Sequence, residues 1–394
     1  MVSYAWRRRG DRPKEVEVQV SQADRPSDAL AFAQLLLTII DEGRRTATYK
    51  LALLMALIDC CSVSIEPGGQ SSTRLPTRDL ARRVVELYWP QVRTHPAAGD
   101  AAVLRQSTQA RSVTVGVVSG LQRRAADLRL RSPFEVERAL PDEYAAAIDK
   151  VEHNLVTMPL GKLQRPSDYS AALPYARFMY DDRTFVESVT PSQVHRGGFA
   201  VELHEDVGDW LVSLAPLLRP LIELHWTREV ARRNAVAFPE NDLRDFLFGA
   251  TRLPLSKLAP GLTDLQQGRC FYCRGPLRAG QVDVDHFVPW SRMANDGLAN
   301  LVLADRLCNN AKSDFLASLE HLERWATRSP ETIRQLGDEA GWPIRAEESR
   351  RLAAGIYSRL PAGTPLWGGR GHFELATDLS RGAALKHLVR PCPS

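Results

Sequence analysis

Residues 269–316 read RCFYCRGPLRAGQVDVDHFVPWSRMANDGLANLVLADRLCNNAKSDFL, and no other part of the chain gathers so much reactive chemistry. Cys270 and Cys273 form a C-x2-C. Val282 to Val288 alternates apolar and polar residues around Asp285 and His286, the period of a strand with one covered face. Asn300 stands 14 positions after the histidine, and Cys308 and Asn309 open a run with helical spacing.

The cysteines suggest a metal. Tetrahedral zinc takes four N, S or O ligands, and a tight C-x2-C turn aims two sulfurs inward. Gly275 and Pro276 turn the chain after this pair, and Cys308 lies where the chain returns. Three residues before it, Asp305 offers an oxygen, which gives the set Cys270, Cys273, Asp305 and Cys308. Such a zinc would be structural, pinning a unit too small to build a large core. Two other readings stand beside it: the same knuckle held by packing alone, and a redox C-x2-C. The redox reading is poorly placed, because no βαβ unit surrounds the pair.

Asp-His, then Asn, then Asn, inside a cysteine-framed ββα unit resembles the HNH endonucleases over residues 265–326. His286 is the natural general base, since imidazole titrates near neutral pH. Strand neighbours point to opposite faces. The resemblance implies that the chain distorts there, so that Asp285 reaches a metal and His286 the attacking water. It implies that Asn300 holds the loop and orients the histidine. The spacing H-x13-N-x8-N looks like the branch that includes the HNH domain of CRISPR effector nucleases. By that likeness Asn309 joins Asp285 as an oxygen ligand of one divalent cation, Mg²⁺ or Mn²⁺. Lys312, one turn after Asn309, is a phosphate-binding candidate, with Arg292 and Arg306 further ones. The family usually repeats C-x2-C in the second pair, so Asp305 departs from its pattern. The run from Asp285 to Ala317 looks more closely like bacterial HNH proteins with long helical N-terminal regions, often of restriction or anti-phage defence.

Around this segment the chain is ordinary: 394 residues, 44% hydrophobic, with a net charge of +4 that permits a nucleic-acid partner without requiring one. Six cysteines in this length make no disulfide framework, which with the cysteine cluster argues for a reducing, cytoplasmic setting. No signal peptide is visible, and the longest apolar run, Leu51 to Ile58, falls far short of the ~20 residues of a membrane helix.

The expected fold is mainly α with small β elements. Residues 1–250 form a mostly helical region for DNA binding, recognition or regulation, 251–330 a ββα-metal nuclease domain, and 331–394 a helical cover packed on it. Helices are expected over 28–42 (Ser27 as N-cap), 48–58, 77–88, 142–150, 207–233 and 241–248, and strands over 15–20, 178–180 and 199–201. Pro216 and Pro220 should kink or divide the long helix. The apolar helix over 48–58 is a core helix, and Cys60 and Cys61 read as core residues. Residues 113–118 suit strand or helix. Arg123, Arg124, Arg129 and Arg131 form a basic group on an expected helix, either a DNA-facing stripe or a solvated face, and Arg7 to Arg9 read the same way. Residues 253–261 read as a linker. Phe315, Leu316, Leu319, Leu322 and Trp325 belong to the core of the ββα helix.

Functionally, the expectation is a metal-dependent DNA endonuclease of anti-phage defence or restriction. One such site cuts one strand, so a double-strand break needs a homodimer or two successive nicks. A non-cleaving HNH-fold subunit of a larger defence complex is the alternative. An RNA-directed nuclease finds no aromatic-rich RNA-binding motif.

Overall fold

The computed structural model describes residues 25–41, 47–66, 70–95, 103–108, 112–164, 177–234, 240–248 and 255–388. The expected strand over 15–20 and Arg7 to Arg9 lie outside them. The chain is mainly helical with small antiparallel strand pairs, as its patterning implies. None of the described helices is long and apolar enough to cross a membrane.

The N-terminal region holds α1 (Ala29–Ile40), α2 (Tyr49–Val63), α3 (Thr77–Tyr88), α4 (Val113–Asp127), α5 (Pro133–Ala139), α6 (Pro141–Thr157), α7 (Pro191–Gly197), α8 (Val207–Asn234) and α9 (Glu240–Leu247). Asp28, rather than Ser27, caps α1 by accepting from the N–H groups of Leu30 and Ala31. The central rod is α2. It is apolar all round, so it is buried on every side, and it runs on far enough to carry Cys60 and Cys61 into the core. Residues 113–118 begin a helix. Arg129 leaves α4 in the left-handed region (φ 58°), so only Arg123 and Arg124 of the basic group share a helix. Of the expected β runs, β1 (Arg74–Pro76) pairs with β2 (Ala200–Glu202), while of 178–180 only Tyr180 makes a bridge, to Leu203. Pro216 and Pro220 do not divide α8. Proline removes a donor from the ladder, but Leu211, Ala215, Leu218, Ile222 and Trp226 are buried in the same core and hold the helix together.

The expected linker is largely helix. Residues 255–258 form a 3₁₀ turn that leads into α10 (Ala259–Leu265), with Leu258 and Leu262 buried. Just after it, the Gln266 amide bonds both the N–H and the C=O of Leu303, each at 2.8 Å. The side chain thereby closes a strand edge. That strand is β4 (Leu301–Asp305), paired antiparallel with β3 (Val282–His286) in a register that sets His286 opposite Leu301 and Val282 opposite Asp305. Next comes α11 (Arg306–Lys312). Its run does not continue as one long helix: Ser313 turns to φ 46°, and α12 (Leu319–Ala326) starts afresh. Leu316, Leu322 and Trp325 are buried, whereas Phe315 is exposed and packs on Phe373.

Beyond them lie α13 (Pro330–Ala340), α14 (Ala346–Tyr357), the hairpin of β5 (Pro365–Gly369) and β6 (His372–Leu375), and α15 (Asp378–Leu388). The expected helical cover therefore includes a hairpin. Trp367 on β5 exchanges backbone bonds with Leu316 and Ser318, and its ring lies in one buried cluster with Cys270, Phe271, Phe287 and Cys308. The helix α14 faces both ways. Leu352 and Tyr357 belong to the same cluster as Cys270, Phe287 and Cys308, while Gly355 sits so close to the end of α2 that a Cβ would run into the Ser62 carbonyl. Across the same seam Arg83 pairs with Glu348 (2.8 Å), Arg345 with Glu86 (3.0 Å) and Arg359 with Asp209 (2.6 Å).

Trp325 stacks on Phe287 (centroids 4.8 Å apart, planes 6°) and donates from Nε1 to the Ala299 carbonyl. Trp325→Ala is expected to cost about 3–5 kcal/mol of stability, read as a lower urea midpoint. A shift of less than about 1 kcal/mol would mean that this stack does not anchor the domain.

Candidate active site and metal centre

The β3–β4 pair is too short to form a core, so it serves as a platform. Asp283 and Asp285 share one strand face by the period of two, and α11 covers that face. Asn309 on α11 donates from Nδ2 to Asp283 Oδ2 (3.3 Å), and Arg306 stands 3.5 Å from Asp283 Oδ1. Lys312, one turn on, reaches Asp285 Oδ2 at 3.0 Å. The Tyr272 hydroxyl donates to the same oxygen at 2.5 Å. Burial, and then the Asp285 charge, push the Tyr272 phenol well above its usual range, so it remains a donor.

His286 ends β3 and is nearly buried. Its Nε2 lies 2.8 Å from Asp296 Oδ1, and its ring packs beside Trp290 with centroids 5.3 Å apart. Its carbonyl accepts from Lys312 Nζ at 3.0 Å. Asn300, fully buried, accepts from the Val288 N–H and donates to the carbonyls of Val288 and Asn295. The loop after the histidine is thus tied at both ends by one amide. Asn295 in turn donates to Ser349 Oγ on α14 (3.1 Å).

The structure therefore brings Asp285, His286, Asn300 and Lys312 around one strand end, with Asn309 two strand positions away against Asp283. Lys312 is wholly buried and points inward to protein oxygens. Arg306 is exposed beside Asp283. Arg292 is half-buried, and burial lowers its basicity. Sequence reasoning passed over Asp283, Asp296 and Tyr272. Asp283 had a signal, since it stands two positions before Asp285 in a strand. Tyr272 lies inside the knuckle, and Asp296 in a loop whose path no local pattern reveals.

The sulfurs of Cys270, Cys273 and Cys308 lie within 4.8 Å of one another, and among the described residues they form the one close group of three or more potential His, Cys, Asp or Glu ligands. Arg274 takes φ 61° to close the knuckle, and the Asp305 N–H donates to Cys270 Sγ at 3.3 Å. Three converging sulfurs with a backbone donor suit a zinc ion. Burial, then the neighbouring thiols, push Cys308 up to about 12, a crowding that a bound cation would reverse. The Asp305 carboxylate stands outside the close group and caps α11, accepting from the Leu307 N–H at 3.0 Å.

The family model described as a domain of unknown function, DUF8808, matches residues 28–247, more than half of the 394 residues. The chain belongs to the DUF8808 family. In this DUF8808 protein a second model, HNH endonuclease, matches residues 270–318. That span holds the three clustered cysteines and every strand and helix residue of the site, so the site lies in an HNH-type domain. No curated protein and no solved structure matches the chain.

Cys308→Ser is expected to remove most bound zinc, measured by elemental analysis of the purified protein. Asp305→Ala should keep the zinc and lose about 1 kcal/mol through the missing cap. Loss of zinc in Asp305→Ala would instead make that carboxylate the fourth ligand.

Proposed function

We propose that this protein is a metal-dependent DNA endonuclease in which His286 is the general base. The observation that carries the reading is the His286–Asp296 contact at 2.8 Å, set on an HNH-type β3–β4–α11 frame. A carboxylate on Nε2 keeps the proton on that nitrogen and leaves the lone pair on Nδ1. Nδ1 then takes a proton from the attacking water, and Asp296 stabilises the imidazolium that forms. Asn300 positions the histidine by fixing the backbone at Val288, two residues on.

Asp285 and Asn309 would hold the divalent cation, with Asp283 beside them. These are hard oxygen donors, which suit Mg²⁺ or Mn²⁺, and turning the Asn309 amide presents Oδ1. Both protein contacts to Asp285 fall on Oδ2, so Oδ1 is the oxygen offered to a cation. When bound, the ion offsets charge on the phosphate and its leaving oxygen. Lys312 acts from beneath the site: it fixes the His286 carbonyl and the Asp285 carboxylate together, which favours a positioning role over phosphate contact. Arg306 and Arg292 remain the candidates for phosphate. Zinc at Cys270, Cys273 and Cys308 would hold the frame, with Asp305 supporting it through its backbone N–H and its cap on α11.

The setting we assign is bacterial restriction or anti-phage defence in the cytoplasm. Its support is the likeness of residues 285–317 to HNH proteins with long helical N-terminal regions. Cleavage of both strands would require a homodimer or two successive nicks, and other defence components are candidate partners. One observation favours the non-cleaving alternative: an ammonium, from Lys312, already neutralises Asp285.

Supercoiled plasmid with Mg²⁺ decides between the two. Cleavage should require the metal, stop with EDTA and fall about 10²–10⁴-fold in His286→Ala. Plasmid left intact by the wild type with Mg²⁺ and with Mn²⁺ supports the silent subunit, and full activity in His286→Ala removes the assigned base.

A further inference from the structure

A cavity of about 210 Å³ lies between the helical region and the nuclease domain. A dry cavity of about 150 Å³ is enough for a benzene-sized ring, and drug-sized ligands occupy about 300–1,000 Å³. The space therefore suits a one- or two-ring group and little more. Its walls are aromatic: Trp89, Phe134 and Phe248 from the helical region and Trp290 from the nuclease domain. Flat rings stack well between such side chains.

The polar lining narrows the choice. Four arginines and four carboxylates line the cavity, so it offers no net charge to a phosphate. Most of these charges satisfy each other, as Arg83 and Arg345 both do with Glu86. Arg219, with its partner Asp59, is less well served. It is 6% exposed and ion-pairs with Asp59, yet its Nε has no hydrogen-bond partner. A buried unsatisfied donor is costly, and a ligand acceptor would relieve it. Burial also lowers the Arg219 pKa to about 10. The occupant that fits is neutral, planar and hydrogen-bonding, which is the chemistry of a nucleobase.

Position gives the source. Two lining residues, Trp290 and Asp296, also lie against the His286 ring. An occupant would sit one side chain away from the proposed base.

We propose that this cavity receives a nucleobase turned out of the DNA substrate beside the scissile phosphate. Trp290 stacks on the base and Arg219 Nε donates to one of its acceptors, such as purine N7 or O6. Extrusion costs a few kcal/mol and is recovered by stacking and edge contacts in a snug pocket. The exposed Arg131 at the lining is placed to meet the adjoining backbone phosphate. Filling the cavity also presses on Trp290 and Asp296, so recognition and the setting of His286 are linked. The proposal rests on the nuclease reading.

The test uses the full-length protein in EDTA, so that binding is read without cleavage. Saturation-transfer NMR is run with free adenine, hypoxanthine, cytosine and thymine and with their 5′-mononucleotides. In parallel, duplexes carrying 2-aminopurine are titrated while binding is followed by anisotropy. Transfer to at least one free base is expected, with a several-fold rise in 2-aminopurine fluorescence on the bound duplex. Ala294→Phe, which fills the cavity and removes no charge, should abolish both, and Arg219→Met should weaken both by tenfold or more. Arg334→Ala, at an exposed position on α13, should change neither.

Absence of transfer to every base, or transfer unchanged in Ala294→Phe, overturns the site. A mononucleotide that binds while no duplex is bound or brightened assigns the cavity to a free nucleotide and overturns extrusion. Base binding with no plasmid cleavage in Mg²⁺ sinks the nuclease reading and leaves only the base pocket standing, whereas cleavage without base binding sinks this proposal alone.

Discussion

The amide of Asn300 is the constraint on which the site depends. It is fully buried and makes three hydrogen bonds, to the N–H and C=O of Val288 and to the carbonyl of Asn295. A buried amide without partners would cost a few kcal/mol, so the loop must follow it. That loop begins right after His286 and carries Trp290 and Asp296, which lie against the imidazole. Its far end is handed on from Asn295 to Ser349 of α14, and α14 is bound to α3 through Glu348 and Arg83. The placement of the histidine is therefore set by a chain of buried polar contacts reaching into the helical region.

The cysteine cluster and the strand-end site are equally interleaved. Cys308 points to the sulfur cluster while its neighbour Asn309 points to Asp283, both from a helix of seven residues. Asp305 caps that helix with its carboxylate and supports Cys270 with its backbone N–H. Few residues serve here, and each serves twice. This is what a unit with a two-stranded sheet requires, because packing alone offers it little.

Much of this was legible in the sequence. The strand with Asp285 and His286 and the all-apolar α2 follow from periodicity, which is a local signal; the converging cysteines follow from ligand spacing, and the place of Asn300 from the likeness to HNH proteins. What escaped was non-local. No pattern near Asp296 says that a loop will fold it onto His286, and nothing near Gln266 says that its amide will complete a strand edge. Lys312 is instructive in another way. Helical spacing placed it one turn from Asn309 correctly, but spacing cannot tell whether a cation ends in water or beneath a carboxylate. Pro216 and Pro220 failed as breakers because tertiary burial of α8 outweighed their local preference, and Ser313 broke a helix that hydrophobic spacing alone would have continued.

One helix gives the architecture its character. Because α14 lends Leu352 and Tyr357 to the core of the HNH-type domain and its Gly355 backbone to the end of α2, the two halves share a wall instead of meeting across a gap. An HNH-type unit hung on a tether could be borrowed freely between proteins. This one is mortised into its neighbour, so a lineage that exchanged the 28–247 region would have had to recast α14 in the same step.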